Sequence, residues 1–142
     1  MNFDNCNGQV DFGSKPYVAN VEQLGIKNGN FRTALWTGEY MQMTLMCIPP
    51  CGEIGLEIHP DTDQFIRIEQ GSAVVLMGEK EYCLNYERNM CKNDVAFVPA
   101  GTWHNIINRG SYPLKVSVIY APPHHPKGTV HRTKADAKRA KY

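Results

Sequence analysis

The chain of 142 residues lacks the features that would assign it to a special class of protein. Its opening stretch does not have the charged, apolar and small-residue order of a signal peptide, and no apolar run approaches the roughly 18 residues of a membrane span. Charged residues make up 20% of the chain and apolar residues 42%, a balance typical of globular rather than disordered proteins. We therefore expect one cytoplasmic domain with no membrane partner.

The cysteines lack the paired spacing that marks disulfide frameworks and closed zinc sites. Their number is odd, and in a reducing cytosol they are most simply free thiols. The five are Cys6, Cys47, Cys51, Cys83 and Cys91. Cys47 and Cys51 flank two prolines close to the polar motifs described below, so a thiolate ligand is an alternative there, although better ligands are present.

Positive charge is scarce outside the C-terminal segment. Residues 127–142 hold six basic residues and one acidic residue, whereas residues 1–126 hold nine basic and thirteen acidic residues. The body of the chain therefore has no electrostatic footprint for nucleic acid, and the basic tail is too short to supply one. We expect no nucleic-acid partner.

Helical periodicity is absent until the end of the chain, and short segments with strand character occupy most of it. Residues 1–30 are rich in Asn and Gly and predict an irregular arm, with a helical turn near residues 21–25. Residues 87–93 predict a polar loop. Strands are predicted at residues 31–37, 40–48, 55–59, 64–69, 73–78, 81–86, 94–98, 103–108 and 114–120.

Three prolines then end the sheet, and a basic segment follows. Thr133 with Asp136 three residues later resembles a capping box, which predicts a short helix over residues 134–141. The whole pattern favours an antiparallel all-β sandwich or barrel. We divide the chain into an N-terminal arm (1–30), the barrel (31–122), and a Pro-rich exit with the basic helix (123–142).

Two polar segments of the predicted sheet carry groups that could bind a metal. Glu57 and His59 are two residues apart in an extended run, so both side chains project from one face. Gln64 follows across a Pro-Asp-Thr turn, and His104 comes from a Pro-x-Gly-x-x-His turn further along the chain. Two imidazoles, a carboxylate and an amide oxygen that converge on one point would make a metal site.

These residues resemble the two sequence motifs of the cupin superfamily, Gly-x5-His-x-His-x3,4-Glu-x6-Gly and Gly-x5-Pro-x-Gly-x-x-His-x3-Asn. Glu57 stands at the first histidine position, His59 at the second, and Gln64 at the glutamate position. The second motif matches at Pro99, Gly101, His104 and Asn108, while Cys51 and Asn93 occupy the two opening glycine positions. The resemblance implies a double-stranded β-helix, or jelly-roll barrel, with a divalent metal in its mouth.

The ligand types favour a transition metal. Imidazoles with one carboxylate suit Fe(II), Mn, Ni or Zn better than Mg or Ca. Glu57, His59 and His104 would form a two-histidine, one-carboxylate triad, with Gln64 as a weak fourth donor and open positions for water or substrate. We expect Glu57 and His104 to be the catalytic residues, with Glu57 or a bound water moving a proton while the metal acts as Lewis acid.

Each of these side chains also has an ordinary structural explanation. Glu57 could be a surface residue of an edge strand, and His104 could be a hydrogen-bonded structural histidine. Asn108 could contact the substrate, or it could support the site or a turn through hydrogen bonds. The remaining histidines lie among prolines and basic residues and are predicted to be solvated: His124, His125 and His131.

Three functions stay open at this point. Small cupins that resemble sugar-phosphate isomerases of the mannose-6-phosphate type, and those that linearise unsaturated sugar acids, use similar ligand sets. The resemblance therefore implies a metal-dependent isomerase or epimerase acting on a small carbohydrate-like substrate. No cluster of Lys or Arg lies near the motifs, which favours an unphosphorylated substrate. The alternatives are an Fe(II)-dependent dioxygenase and a non-catalytic module that binds a small molecule. Because cupins are commonly dimers, the resemblance also implies a homodimer.

Overall fold

The computed structural model describes residues 11–140, which form two antiparallel sheets and two short helices. The elements are α1 (Val21–Lys27), β1 (Arg32–Thr37), β2 (Gln42–Ile48), β3 (Asp63–Gln70), β4 (Ala73–Gly78), β5 (Tyr86–Met90), β6 (Val95–Val98), β7 (Trp103–Asn108), β8 (Leu114–Ala121), β9 (Val130–His131) and α2 (Lys134–Arg139). Six strands pair in the order β6-β3-β8-β2-β1-β9, and three in the order β5-β4-β7. The predicted all-β jelly-roll fold with a short C-terminal helix is confirmed.

Side chains that alternate along the strands fill the space between the two sheets. In β3, Ile66 and Ile68 are fully buried, while Phe65 and Arg67 between them are partly exposed. The core also contains Met46, Val75, Met77, Ile106, Val116 and Val118. Burial of each large apolar side chain contributes about 1.5–3 kcal/mol. Truncation of Ile66 to Ala would remove about 2–5 kcal/mol, since it also leaves a cavity.

The segment between β2 and β3 extends the smaller sheet without forming the strand predicted at residues 55–59. It pairs with β7 through two isolated bridges, Glu53 with Ile107 and Glu57 with His104. Gly55 lies between these bridges with a φ of 110°, which an extended strand does not accommodate. The segment is therefore fixed to the sheet at two points and bends between them.

The two residues that replace motif glycines adopt the backbone conformation that favours glycine. Cys51 has a φ of 66° and Asn93 a φ of 76°. Asn tolerates this left-handed region because its short polar side chain bonds locally, whereas Cys has no such compensation. Both positions thus keep the turn geometry of the motif, at some conformational cost at Cys51.

The segment from residue 81 to residue 93 differs from the prediction. A strand was expected at residues 81–86 and a polar loop at 87–93, but the strand is β5, which pairs with β4 from Tyr86 to Met90. Four of its five residues are exposed. This edge strand has no buried face apart from Met90, so its sequence lacks the apolar alternation by which strands are predicted.

Both helices are capped by side chains. The Oδ1 atom of Asn20 accepts from the Gln23 amide at 3.0 Å and starts α1, which is longer than the predicted turn. The predicted capping box of α2 is confirmed: Thr133 Oγ1 accepts from the Asp136 amide at 3.1 Å, and Asp136 Oδ2 accepts from the Thr133 amide at 3.3 Å. Neither helix of residues 11–140 has the length and apolar character that crossing a bilayer requires.

The described part of the N-terminal arm lies against the barrel. The amide of Phe12 donates to the Leu35 carbonyl at 2.9 Å, and the Trp36 indole donates to the Lys15 carbonyl at 2.8 Å. Residues 1–10, with Cys6, lie outside the described residues, as do the last two residues, where the basic helix was predicted to end.

Candidate metal centre

Glu57, His59 and His104 converge on one point. The Oε1 atom of Glu57 lies 3.3 Å from His59 Nε2 and 3.8 Å from His104 Nε2. One ligand atom from each of the three residues lies within 4.8 Å of the others, a spacing that a single cation could bridge. The structure thus brings three of the four predicted metal ligands into one cluster.

A hydrogen bond orients the ring of His104. Its Nδ1 lies 2.9 Å from the Thr102 carbonyl oxygen, and because a carbonyl only accepts, Nδ1 carries the proton. The lone pair of Nε2 therefore points toward the cluster. Burial lowers the pKa of His104 below its ordinary value, although the Thr102 carbonyl and the Glu57 charge oppose this. The imidazole is neutral at neutral pH, which is the state that binds metals.

Glu57 supplies the negative charge of the cluster. Burial is the largest influence on its carboxyl group and acts to raise the pKa, but the adjacent His59, the positive charge of Arg32 and the nearby His104 outweigh it. The net pKa lies below the ordinary value, so Glu57 is ionised at neutral pH. Its side chain is 30% exposed, whereas His59 and His104 are buried, so Glu57 is the ligand through which the site opens outward.

Two ring nitrogens of the cluster, and one side-chain oxygen of Gln64 on β3, are buried. His59 Nε2, His104 Nε2 and Gln64 Oε1 have no hydrogen-bond partner of acceptable geometry within residues 11–140. Unsatisfied buried lone pairs are costly unless something outside the chain occupies them. Imidazole, carboxylate and amide donors fit a divalent transition metal, so the residues present suit the group that the motifs imply. Gln64 is buried on β3, and its role as fourth donor stays a prediction.

Backbone and side-chain hydrogen bonds hold the two motif segments together. The Asn105 amide group donates to Glu53 Oε1 at 2.8 Å and accepts from the Gly55 backbone amide at 2.9 Å. At the other end, the Gly101 amide donates to the His59 carbonyl at 2.9 Å, and Asp63 Oδ1 accepts from the Ala100 amide at 2.8 Å. The ligands are therefore fixed by contacts that do not involve a metal.

Asn108 makes its hydrogen bonds within the turn that follows β7. Its Nδ2 atom donates to the carbonyls of Ile48 at 3.0 Å and Tyr112 at 2.9 Å, and its Oδ1 accepts from the Gly110 amide at 2.8 Å. These bonds tie the turn between β7 and β8 to the end of β2. Of the two roles that the sequence allowed for Asn108, substrate contact or support of a turn, these hydrogen bonds correspond to the support of a turn.

The prediction that the three remaining histidines are solvated is wrong for His125 and His131, which are buried, and His124 is half-buried. The ring of His124 lies 4.3 Å from that of His59 and 4.7 Å from that of His125, between centroids. All five histidines of the chain therefore lie in one region of the barrel. Sequence reasoning missed this because the prolines around residues 122–126 indicate an exit from the sheet.

Gln42 on β2 holds the segment around His125 against the barrel through hydrogen bonds. Its Nε2 atom donates to the His125 carbonyl at 2.8 Å, and its Oε1 accepts from the His125 amide at 3.0 Å. The His125 ring then lies 3.2 Å from the Tyr120 hydroxyl. Burial and then the charge of Arg32 lower the pKa of His125 to about 2, so this ring stays neutral. Burial raises the pKa of Tyr120 to about 12, which keeps its hydroxyl protonated.

A cavity of about 390 Å³ borders the cluster on the side of Glu57. Its walls include Arg32 from β1 and Lys134 and Lys138 from α2. The expectation that no basic cluster lies near the motifs is therefore wrong. These three residues are distant from the motifs in the sequence, but the fold brings them to the same cavity. A larger cavity, of about 600 Å³ and lined by residues such as Met77 and Phe97, includes none of the three clustered ligands.

Cys47 and Cys51 are not part of the cluster of Glu57 and the two histidines. Both line a separate cavity with Pro49 and Arg132. They are free thiols, as predicted, and so are Cys83 and Cys91. The thiolate alternative therefore gains no support from the described residues.

Comparison with known proteins places the chain among proteins that share this architecture. The model of the Cupin domain family matches residues 44–120, more than half of the chain. The chain is 56% identical over 127 residues to the uncharacterized protein YrkC of Bacillus subtilis (strain 168), which covers 89% of this chain and 68% of that protein. It is 39% identical over 115 residues to the uncharacterized protein L612 of Acanthamoeba polyphaga mimivirus, covering 80% and 70%. The crystal structure of BH2720 from Bacillus halodurans has a TM-score of 0.91 and 49% identity, covering 92% of this chain and 99% of that one. This chain belongs to the cupin family.

Proposed function

We propose that the protein is a divalent-metal-dependent enzyme of the isomerase or epimerase type, acting on a small polar, carbohydrate-like substrate. The observation that carries the proposal is the convergence of an ionised carboxylate and two imidazoles at the border of a cavity. A cavity of about 390 Å³ is of the size that holds a small metabolite. A closed structural site would not leave one ligand partly exposed to such a space.

The roles of the residues follow from their placement. Glu57, His59 and His104 would hold the metal, with Gln64 as fourth donor. When bound, a divalent transition metal supplies Lewis acidity toward a substrate carbonyl. Glu57 is ionised and reaches the cavity, so it is the group that can accept a proton from the carbon next to that carbonyl and return it. His104 keeps its Nε2 lone pair on the cluster through its bond to Thr102.

Tyr120 packs against His59 and supports the site. It is almost fully buried, and its ring packs edge-on against His59 with centroids 5.9 Å apart. Since its hydroxyl stays protonated, it adds no charge to the metal cluster. Its function in this account is to orient His59 and to keep water out of the barrel side of the cluster.

The direct experiment is a turnover assay of metal-loaded protein with a panel of aldoses, ketoses and uronates. We expect conversion of at least one of them, and a loss of about 10²–10⁴-fold in kcat for Glu57→Gln, which keeps the shape of the side chain but removes its basicity. Glu87→Gln, an exposed residue of β5, serves as the matched control and should leave kcat unchanged. No turnover of any member of the panel would count against the proposal.

One observation favours a second candidate. Two histidines and one carboxylate are the ligand set of non-haem Fe(II) oxygenases, and the cluster has this composition. In that case the Fe(II) form would consume oxygen when candidate diols or thiols are added, and an oxygen electrode measures this directly. The absence of uptake with all of them would remove this candidate.

A non-catalytic binding module is the third candidate. It is distinguished from both enzymes by the ligand affinity of Glu57→Ala and His104→Ala. If the metal takes part in recognition, both variants lose affinity for any small molecule that the wild type binds. Unchanged affinity in both would mean that recognition does not use the cluster.

Homodimer formation belongs to the same proposal. Phe97 on the edge strand β6 is 70% exposed and packs edge-on against Phe65 of β3, with ring centroids 5.4 Å apart. An exposed aromatic pair at an open sheet edge is a surface that a second subunit could cover. Light scattering at micromolar concentration tests this, and a monomeric mass would contradict it.

A further inference from the structure

The cavity beside Glu57 has a buried cation in its wall. Arg32 is 4% exposed, and its Nη1 donates to His131 Nδ1 at 3.0 Å. Within residues 11–140, no carboxylate lies within ion-pair distance of this guanidinium, and its Nε atom has no hydrogen-bond partner. The charge of Arg32 acts on Glu57, which lines the same cavity, but the two groups form no ion pair. A buried charge without a contacting counter-ion is costly, so its presence points to a further negative group that comes from outside the described chain.

Helix α2 adds two more cations to the same cavity. Lys134 and Lys138 are four residues apart, so they lie on one face of the helix, where like charges disfavour each other. Both line the cavity, and neither forms an ion pair with a described residue. The acid within α2, Asp136, bonds instead to Arg139 and to the Thr133 cap.

The position of α2 over the cavity is fixed. Ala137 packs against the hydrophobic core, and the capping box holds the start of the helix. Gly55 lies next to Lys134, since a Cβ atom built on Gly55 would be in van der Waals contact with Lys134 Nζ, at 3.6 Å. The cations are therefore presented to the space above Glu57 by a docked helix.

The charge of the cavity wall is unbalanced. Arg32, Lys134 and Lys138 face Glu57, the one carboxylate among the lining residues, and the Oε1 atom of Glu57 lies against the two histidines. A divalent cation at the cluster would increase the excess of positive charge further. Arg presents a planar fork that matches carboxylate and phosphate oxygens, and Lys adds point charges.

We infer that this cavity binds an oxyanion, the carboxylate or phosphate group of a small substrate, whose other end reaches the cluster at Glu57. This deepens the proposed function by naming the substrate class, and it rests on that function for the identity of the ligand as a substrate. The anion site itself does not require the metal. The substrate class thus narrows from any small polar, carbohydrate-like molecule to an acid or a phosphate ester.

The test is isothermal titration of chelator-treated, metal-free protein at low ionic strength with inorganic phosphate, with malonate and with neutral glucose. We expect phosphate or malonate to bind and glucose not to bind, and the tighter of the two anions identifies the class. Lys138→Gln should lower the affinity for the anion about tenfold, as the loss of one charge-assisted contact does. Lys27→Gln is the matched control, since Lys27 is an exposed lysine in the last turn of α1 and should have no effect.

Failure to bind either anion, or an equal loss of affinity in Lys27→Gln and Lys138→Gln, would overturn the inference. Arg32→Lys keeps the positive charge but removes the planar guanidinium fork. A lower affinity of this variant for the anion supports the inference. If it does not fold, Lys134→Gln takes its place with the same expected effect. A separate Co(II) titration distinguishes the two proposals: metal binding without anion binding refutes only this inference, whereas anion binding without metal binding refutes only the proposed function.

Discussion

Glu57 and His104 lie directly opposite each other in an antiparallel bridge, in which each backbone amide donates to the carbonyl of the other, at 3.0 and 2.9 Å. Opposite residues of an antiparallel pair place their side chains on one face with Cβ atoms about 5 Å apart. The backbone therefore brings a carboxylate and an imidazole together before any metal is present. Because the bridge does not involve side chains, substitutions at either residue should leave this pairing intact.

Asn105 should control metal affinity without being a ligand. Asn105→Ala removes its bonds to Glu53 and Gly55, which hold the segment that carries Glu57. We expect the free energy of unfolding to fall by about 1–2 kcal/mol and the affinity for a divalent metal by about tenfold. Metal titration and urea unfolding measure the two effects. Asn89→Ala, an exposed asparagine of β5, should change neither, and an equal effect there would contradict the account.

Gln64→Glu restores the carboxylate of the cupin motif at a buried position. In metal-free protein the new charge is buried, so the melting temperature should fall. In the presence of Zn²⁺ or Co²⁺ the added charge should raise metal affinity by about tenfold and reverse the loss of stability. Calorimetry with and without metal gives both values. Gln70→Glu at the end of the same strand is the control, and a metal response as large as that of Gln64→Glu would exclude Gln64 as a donor.

Cys51→Gly should stabilise the protein. Cys51 holds a φ of 66°, which costs a residue with a Cβ atom about 1–2 kcal/mol and costs glycine little. The glycine variant also gains freedom when unfolded, so we expect a net increase of about 0.5–1 kcal/mol in the free energy of unfolding. Cys51→Ala removes the thiol but keeps the Cβ atom. If Ala stabilises as much as Gly, backbone conformation is not the cause.

The stability of the metal-free protein should depend on the buried histidines. The pKa of His125 is lowered to about 2 in the folded state, against about 6.5 when unfolded. Its contribution is therefore complete above the unfolded pKa and is lost as the pH falls below it. Between about pH 7.5 and about pH 5 this amounts to about 2 kcal/mol for His125 alone. Urea unfolding across this range measures the slope, which should be shallower in His125→Gln, and a pH-independent stability would contradict the assignment.

Much of the fold could be predicted because short segments with strand character alternate with turn residues along the chain. The bounds of β4 and β7 agree with the predicted residues 73–78 and 103–108, since turn residues delimit both segments. The cluster of three candidate ligands could be predicted from local sequence as well. Two of them, Glu57 and His59, are close in sequence, and His104 follows a turn motif of fixed spacing.

What could not be predicted depends on contacts between distant segments. His125 is buried because Gln42 bonds to its backbone, and nothing in the local sequence around the prolines indicates that contact. The cavity cations have the same origin, since Arg32 and Lys134 meet only through the docking of α2 beside β9. The prediction of β5 failed for a different reason. An exposed edge strand buries too few apolar side chains to be recognised from its own sequence.

Glu57, His59 and His104 are proposed to bind one divalent cation, and Co(II) titration of chelator-treated protein is the decisive measurement. We expect one site per wild-type chain, with the affinity for Co(II) reduced by about 100-fold or more in His59→Ala and in His104→Ala. Circular dichroism should show that both variants keep the β-fold. A folded double variant that still binds one equivalent of Co(II) with wild-type affinity would contradict the account.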